Sequence, residues 1–182
     1  MDVSTALALV LPAEAQPLVN EIRAKYDRAY PRWMPHLNLL FPFLPVEQFE
    51  GLSFRISKAL QEIEPFSVTF SEVGAFKQGR KAFTFHLKVN EITELQKLFK
   101  VVCATLPECP PKHLEFHPHL TVAQAPKSQK DAMQAELKEH FKGGLTVTFN
   151  QVSLLSRSRT DKSVPFSILV DIPLGRTLES SP

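Results

Sequence analysis

Apolar positions along this chain switch repeatedly between a period of two and a period of about three and a half. Ser4 to Leu11 is a nearly unbroken apolar run of strand length, which predicts a buried strand ended by Pro12. From Ala13 to about Arg28, Leu18, Val19, Ile22 and Tyr26 recur at helical spacing. Pro31 and Pro35 then break the chain before an apolar strand that begins at His36 and runs on through Phe41, Pro42 and Phe43. Phe49, Leu52, Ile56, Leu60 and Ile63 stripe a second helix across about Val46 to Glu64, and Pro65 stops it. Phe66 to about Phe76 alternates as a strand, Lys77 to Lys81 forms a hairpin loop, and Phe83, Phe85, Leu87 and Val89 alternate on the way back. Ile92, Leu95, Leu98, Phe99 and Val102 mark a third helix, and Pro107 to Pro111 form a loop before a strand at His119. Met133, Leu137 and Phe141 mark a fourth helix, for which Ser128 is a candidate N-cap. A strand begins at Leu145, a polar loop spans Arg157 to Ser163, and Phe166 to Ile172 closes the ordered chain. Residues 177–182 read as a frayed tail beyond a single two-lobed domain of residues 1–176.

This order contains an internal repetition. Strand, helix, Pro-His strand, helix and a strand carrying Val68 to Val73 are followed by the same series, ending in Val147 to Val152. The two Pro-His strands, Pro35-His36-Leu37-Asn38-Leu39-Leu40 and Pro118-His119-Leu120-Thr121-Val122-Ala123, occupy the same place in each half. Duplication predicts an α/β fold of two pseudo-symmetric lobes, each a mainly antiparallel sheet backed by helices. A pseudo-twofold axis would then set His36 and His119 opposite one another across a central cleft.

Composition narrows the class. A chain of 182 residues, 43 % of them hydrophobic, can bury a sizeable core. The formal charge of +2 argues against a general nucleic-acid coat and leaves room for a local basic patch. Cys103 and Cys109 match neither a disulfide framework nor a zinc pattern. Ala6 to Leu11 followed by Ala13-Glu14-Ala15 imitates a secretory leader, but the run is short and Asp2 stands where a basic flank belongs. No stretch is apolar for long enough to cross a bilayer. The expectation is a soluble, monomeric, cytoplasmic protein, with the nucleus not excluded.

A histidine and a polar residue two places on share one face of a strand. The imidazole moves protons near neutral pH, and a hydroxyl or carboxamide donates to an anionic oxygen. A lone histidine on an apolar strand reads as a core residue, whereas this matched pair reads as functional. With these residues the chain resembles the two-histidine phosphoesterase superfamily, which includes 2′,5′ RNA ligase-like proteins and cyclic nucleotide phosphodiesterases. That family carries two His-x-Thr/Ser-x motifs on equivalent strands of two lobes. His119-Leu120-Thr121-Val122 fits the motif; His36-Leu37-Asn38-Leu39 departs from it by having Asn at the hydroxyl position. The motifs stand 119 − 36 = 83 residues apart, and by element order the resemblance covers Ser4 to Leu174.

The resemblance implies a metal-independent, cofactor-free acid/base pair, His36 and His119. It would act on 2′,3′-cyclic phosphate ends or 2′,5′-linked RNA, with RNA ends or small nucleotides as partners. Asn38 and Thr121 would hold the non-bridging phosphate oxygens. Phe41 and Phe43 are candidates to stack a base, and Lys81, Arg157 and Arg159 are candidates to bracket a polyanion, together with Lys77, Arg80 and Lys162. Asn38 leaves a second reading open, a non-catalytic module that binds RNA or a nucleotide in the same cleft. A third is a metal-dependent hydrolase built on His113, His117 and His119, although Pro118 and the missing carboxylate or Cys weaken it. His86 and His140 read as structural.

Overall fold

The computed structural model describes residues 1–113 and 115–176, so the tail expected from Thr177 lies outside the described residues. The chain runs β1 (Thr5–Val10), α1 (Gln16–Tyr26), β2 (His36–Leu40), α2 (Phe49–Leu60), β3 (Phe66–Gln78), β4 (Ala82–Val89), α3 (Thr93–Thr105), β5 (His119–Pro126), α4 (Lys130–His140), β6 (Leu145–Phe149), β7 (Gln151–Ser156) and β8 (Ser167–Pro173). Prolines set three of the strand-to-helix corners. Pro12, Pro45 and Pro126 are each extended, and each is followed by a single 3-10 turn that leads into α1, α2 or α4. Ser128 lies within the last of these turns. It does not cap α4, whose N-cap position is Gln129 and carries no side-chain capping bond.

Two four-stranded antiparallel sheets result, ordered β2-β1-β7-β8 and β5-β4-β3-β6. The expected two-lobed α/β architecture is present, and the two orders superpose when β1 is exchanged with β4, β2 with β5, β7 with β3 and β8 with β6. The strand expected to start at Leu145 proves to be two. It breaks at Asn150, pairing with β3 in one sheet before the break and with β1 in the other after it. The repeated Val-Thr-Phe segments are consequently direct neighbours, Val68 opposite Val147, rather than counterparts in separate sheets.

The equivalence of the histidine strands extends to an irregularity. His36 lies opposite Val10 and Asn38 opposite Ala8, after which the register slips past Leu39. His119 lies opposite Lys88 and Thr121 opposite His86, after which it slips past Val122. Each motif thus ends in a β-bulge, which bends the strand just beyond its polar residue. The extra residue explains why the apolar alternation fails there: Leu39 and Leu40, and likewise Val122 and Ala123, are buried in adjacent pairs.

One continuous core runs through both lobes, and β1 explains the unbroken apolar run that forms it. Leu7, Leu9 and Leu11 point into that core, while Ala6 and Ala8 face a second, smaller cluster with Leu155 and Phe166. A central strand covered on both faces needs no polar alternation. Ala6 to Leu11, the run that imitates a leader, is therefore an interior strand of the first sheet and its exit. Among the described residues no helix is long and apolar enough to cross a membrane.

Candidate active site

The edge strands β2 and β5 bring the two motifs together. Where they approach, Arg23, Asp27, Trp33, His36, Asn38 and Thr121, with Ala29 and Phe41, line a cavity of about 220 Å³. His36 and His119 are held alike. The Nδ1–H of His36 donates to the Met34 carbonyl (2.6 Å), and the Nδ1–H of His119 donates to the His117 carbonyl (2.8 Å). A carbonyl can only accept, so each bond fixes the tautomer and leaves Nε2 as the free nitrogen. Both bonds reach two residues back, across Pro35 and Pro118, which accounts for the proline preceding each histidine.

The histidines differ in what surrounds them. Trp33 stacks on His36 (centroids 4.6 Å, interplanar 18°), and Phe166 stacks on the far face of the array at 3.7 Å from Trp33. Enclosure lowers the His36 pKa to about 4, with Arg23 and His119 pushing the same way and the Met34 bond and Asp27 opposing. His36 is therefore a neutral imidazole at pH 7. His119 stands against Phe76 and His86, with centroids 5.1 and 5.4 Å away.

A buried ion pair anchors the first side of the cavity. Arg23 is 2 % exposed, and its Nε donates to Asp27 Oδ2 (2.7 Å) while Nη2 donates to the Trp33 carbonyl (2.9 Å). Asp27 Oδ1 accepts from Gln124 Nε2 on β5 (3.0 Å) and from the backbone N–H of Ala29 (2.9 Å), so this network also ties α1 to the second motif strand. Fully satisfied polar networks of this kind fix geometry rather than simply add stability.

Asn38 is exposed and Thr121 half-buried, both on the cavity wall. Phe41 lines the cavity and meets Trp33 edge-on (5.2 Å, 84°). Phe43 does not: it is 0 % exposed and packs in the main core near Phe49, so it has no face to offer a base. Alternation along an apolar segment cannot by itself say which of two phenylalanines turns inward.

The basic candidates divide. Lys81 sits at the β3–β4 hairpin beside Ala82, which pairs with Pro126 at the opposite end of β5 from His119. Seven residues of strand separate the two ends, about 20 Å, so Lys81 is not part of this cavity. Arg159 is committed elsewhere. Its Nε donates to Asp2 (2.8 Å) and its two terminal nitrogens grip Glu47 (2.8 Å each), leaving its charge neutralised. Arg157 lies over the Phe166 ring at 4.8 Å, and its buried Nε has no hydrogen-bond partner among the described residues. It thus closes an aromatic array that runs from His36 through Trp33 and Phe166.

Arg23, Asp27 and Trp33 escaped the sequence reading. The Arg23–Asp27 spacing of one helical turn and the position of the single tryptophan three residues before His36 were the available signals. His86, read as structural, shares the cleft face with His119. Among the described residues no group of three or more His, Cys, Asp or Glu side chains is placed to hold a metal ion. His113 and His117 are exposed, and His117 meets Glu115 at 3.2 Å. A larger hollow of about 630 Å³ lies between α3 and the loop before β5, lined by Ile92, Phe99, Cys103 and Phe116, but neither motif reaches it.

Comparison with known proteins adds to this geometry. The model of a family described as "2'-5' RNA ligase superfamily" matches residues 11–161. A Staphylococcus haemolyticus (strain JCSC1435) protein named "Putative phosphoesterase SH1944" is 30% identical over 125 residues, covering 68% of this chain and 72% of the relative. Among solved structures, E. coli LigT complexed with 3'-AMP superposes with a TM-score of 0.67 at 18% identity, covering 97% of this chain and 100% of that one. TT0787 of Thermus thermophilus gives 0.63 at 19% identity, covering 95% and 99%. Kluyveromyces marxianus Usb1 with uridine monophosphate gives 0.52 at 12% identity, covering 94% and 99%. At these identities the structural matches establish the fold.

Proposed function

The chain belongs to the 2′-5′ RNA ligase superfamily, and from that premise we propose that it is a metal-independent phosphodiesterase acting on 2′,3′-cyclic phosphate ends or 2′,5′-linked RNA. Residues 1–176 act as one two-lobed unit, and the paired imidazoles carry the chemistry. His36 enters neutral. Its Nε2 takes a proton from water as the water oxygen bonds to phosphorus, and the bond from phosphorus to a ribose oxygen breaks. His119 enters protonated, and its Nε2–H passes to that leaving oxygen. A phosphomonoester and a free ribose hydroxyl result, with the two histidines exchanged in protonation state.

The observation that carries this reading is the matched Nδ1–H bond of each histidine to the carbonyl two residues back, which frees both Nε2 atoms. The lowered pKa of His36 supports its assignment as the base. Thr121 and Asn38 supply donors to the non-bridging oxygens, Asn38 through its NH₂. Phe41 offers aromatic surface beside them for a base, while Trp33, stacked between His36 and Phe166, holds the His36 ring, and Arg157 closes the far end. E. coli LigT and Usb1 have been crystallised with nucleotides, which agrees with small nucleotides as first substrates to try.

The pH dependence of kcat/KM is the test of the pairing. A bell-shaped profile is expected, with an acid limb near pH 4 from protonation of His36 and an alkaline limb from deprotonation of the general acid. A profile flat from about pH 3 to 9, with chemistry rate-limiting, would contradict it.

Asn38 favours a second reading, since a misdirected carboxamide oxygen would repel the phosphate and leave a binding module in the same cavity. Replacing Asn38 by Thr separates the two. The enzyme reading expects kcat to be preserved or raised, by up to about 10-fold if the carboxamide is the weaker donor. A fall of that size would instead give the carboxamide a role of its own.

A further inference from the structure

We infer that His86 is a positioning residue for His119: stacked on Phe76 and seated over Gly74, it forms the side of a slot that fixes the plane of the His119 ring. The inference rests on the reading of His119 as a reacting imidazole. His86 and Phe76 lie face to face, with centroids 4.0 Å apart and planes 13° from parallel. His119 stands nearly perpendicular to both, at 79° to Phe76 and 69° to His86, and almost equidistant from the two. The Nδ1–H bond to the His117 carbonyl holds one corner of His119. On its own that bond leaves the ring free to swing about the corner, and the stacked pair beside it removes that freedom.

The backbone is shaped to admit this stack. Gly74 lies opposite His86 on β3. A Cβ there would land on Nε2 of His86 and within 2.8 Å of its Cε1 and of Cε of Lys88. Glycine is thus required for the His86 ring to lie flat across β3 and reach Phe76. In the other lobe Ala8 holds the place of His86, opposite Asn38, and Trp33 supports His36 from the preceding loop. Each motif histidine has an aromatic support, built differently in each lobe.

A purely structural role fits His86 poorly. It is 4 % exposed, and it buries a polar imidazole where leucine or phenylalanine would bury none. Its surroundings keep it uncharged. Burial, His119 and Lys88 lower its pKa to about 4, against a weak opposing pull from the Thr84 carbonyl. The charged groups around it are Lys88 on its own strand, Glu72 on β3, which pairs with Lys88 at 3.3 Å, and His119 on β5. A neutral His86 puts no positive charge beside His119 when that ring holds its proton.

The test uses His86→Ala, His86→Phe, Gly74→Ala and the His86→Ala/Gly74→Ala double variant, each read in two ways. Nuclear Overhauser contacts between the Phe76 and His119 rings report ring placement without any turnover. They should be lost in His86→Ala and Gly74→Ala and retained in His86→Phe, which keeps a ring on Phe76. With a 2′,3′-cyclic nucleotide, His86→Ala and Gly74→Ala should each lower kcat by about 10-fold or more, since small misplacements of reacting groups are costly. KM should stay within about threefold, because ground-state binding does not use His86. His86→Phe should recover most of kcat, and Gly74→Ala should add less than about twofold once His86 is alanine. Unchanged kcat in His86→Ala, or an equal effect of Gly74→Ala in both backgrounds, would overturn the positioning role while leaving the acid/base pair intact. Absence of turnover in the wild type would overturn the functional reading instead, and the ring contacts would still decide whether His86 places His119.

Discussion

Replacing His119 by Ala lowers kcat by about 10²–10⁴-fold, and replacing His36 by Ala does the same, because each substitution removes one proton-transfer role. The two losses are not additive. Proton transfers at the attacking and leaving oxygens belong to one displacement, so the double variant should fall little further than the worse single one. Binding behaves differently. Thr121, Asn38 and the aromatic wall remain in place, so the dissociation constant of a product nucleotide should change by less than about 10-fold. Stopped-flow single-turnover kinetics and calorimetric titration of the product check the two halves separately. Retained turnover in either single variant would contradict the paired mechanism. Equal loss of binding and turnover would mean that the substitution has collapsed the cavity.

Acid should destabilise the fold well before its carboxylates matter. His36 and His86 both have folded pKa values of about 4 against an ordinary 6.5, chiefly through burial. A histidine with a lowered folded pKa is neutral in the native state and takes up a proton on unfolding. Its contribution is therefore fully present above about pH 6.5 and is lost as pH falls through about 4. Each imidazole is worth on the order of 3 kcal/mol across that window, and two together would be a large part of the stability of a domain this size. Asp2, Glu47 and Glu62 have lowered values, so most of their loss falls below the window. Urea unfolding at steps from pH 7.5 to 4.5 should show stability falling steadily with pH, and His86→Phe should remove about half of that slope. A level stability over the same range would show that neither ring is held neutral by the fold.

The sequence made the site legible where its signals were local and repeated. Proline, histidine and a polar residue recur at fixed offsets, and the structure gives each a job: the proline spans the turn under the Nδ1–H bond, and the bulge follows the polar residue. What stayed hidden depended on long-range pairing. Asn150 was not legible as the point where the chain changes sheets, because the change is set by the partners of the two pieces, β3 before it and β1 after it, which are distant in sequence. Phe43 looked equivalent to Phe41, although one fills the core and the other edges the cavity. Arg159 looked like a free cation because Asp2 and Glu47, its partners, are 157 and 112 residues away in sequence. His86 was read as structural because its strand alternates regularly. Only the pairing of Gly74 opposite it reveals the space into which its ring lies.

Turnover of a small substrate panel tests the central claim most directly: 2′,3′-cyclic nucleotides, a 2′,5′-linked oligoadenylate and a cyclic-phosphate-ended RNA, each with a chelator present and with His119→Ala as the control. The two-histidine account predicts that the wild type converts at least one of them to a phosphomonoester at a rate the chelator does not change, while His119→Ala is slower by about 100-fold or more. Turnover in His119→Ala near the wild-type rate, or turnover that the chelator abolishes, would contradict it.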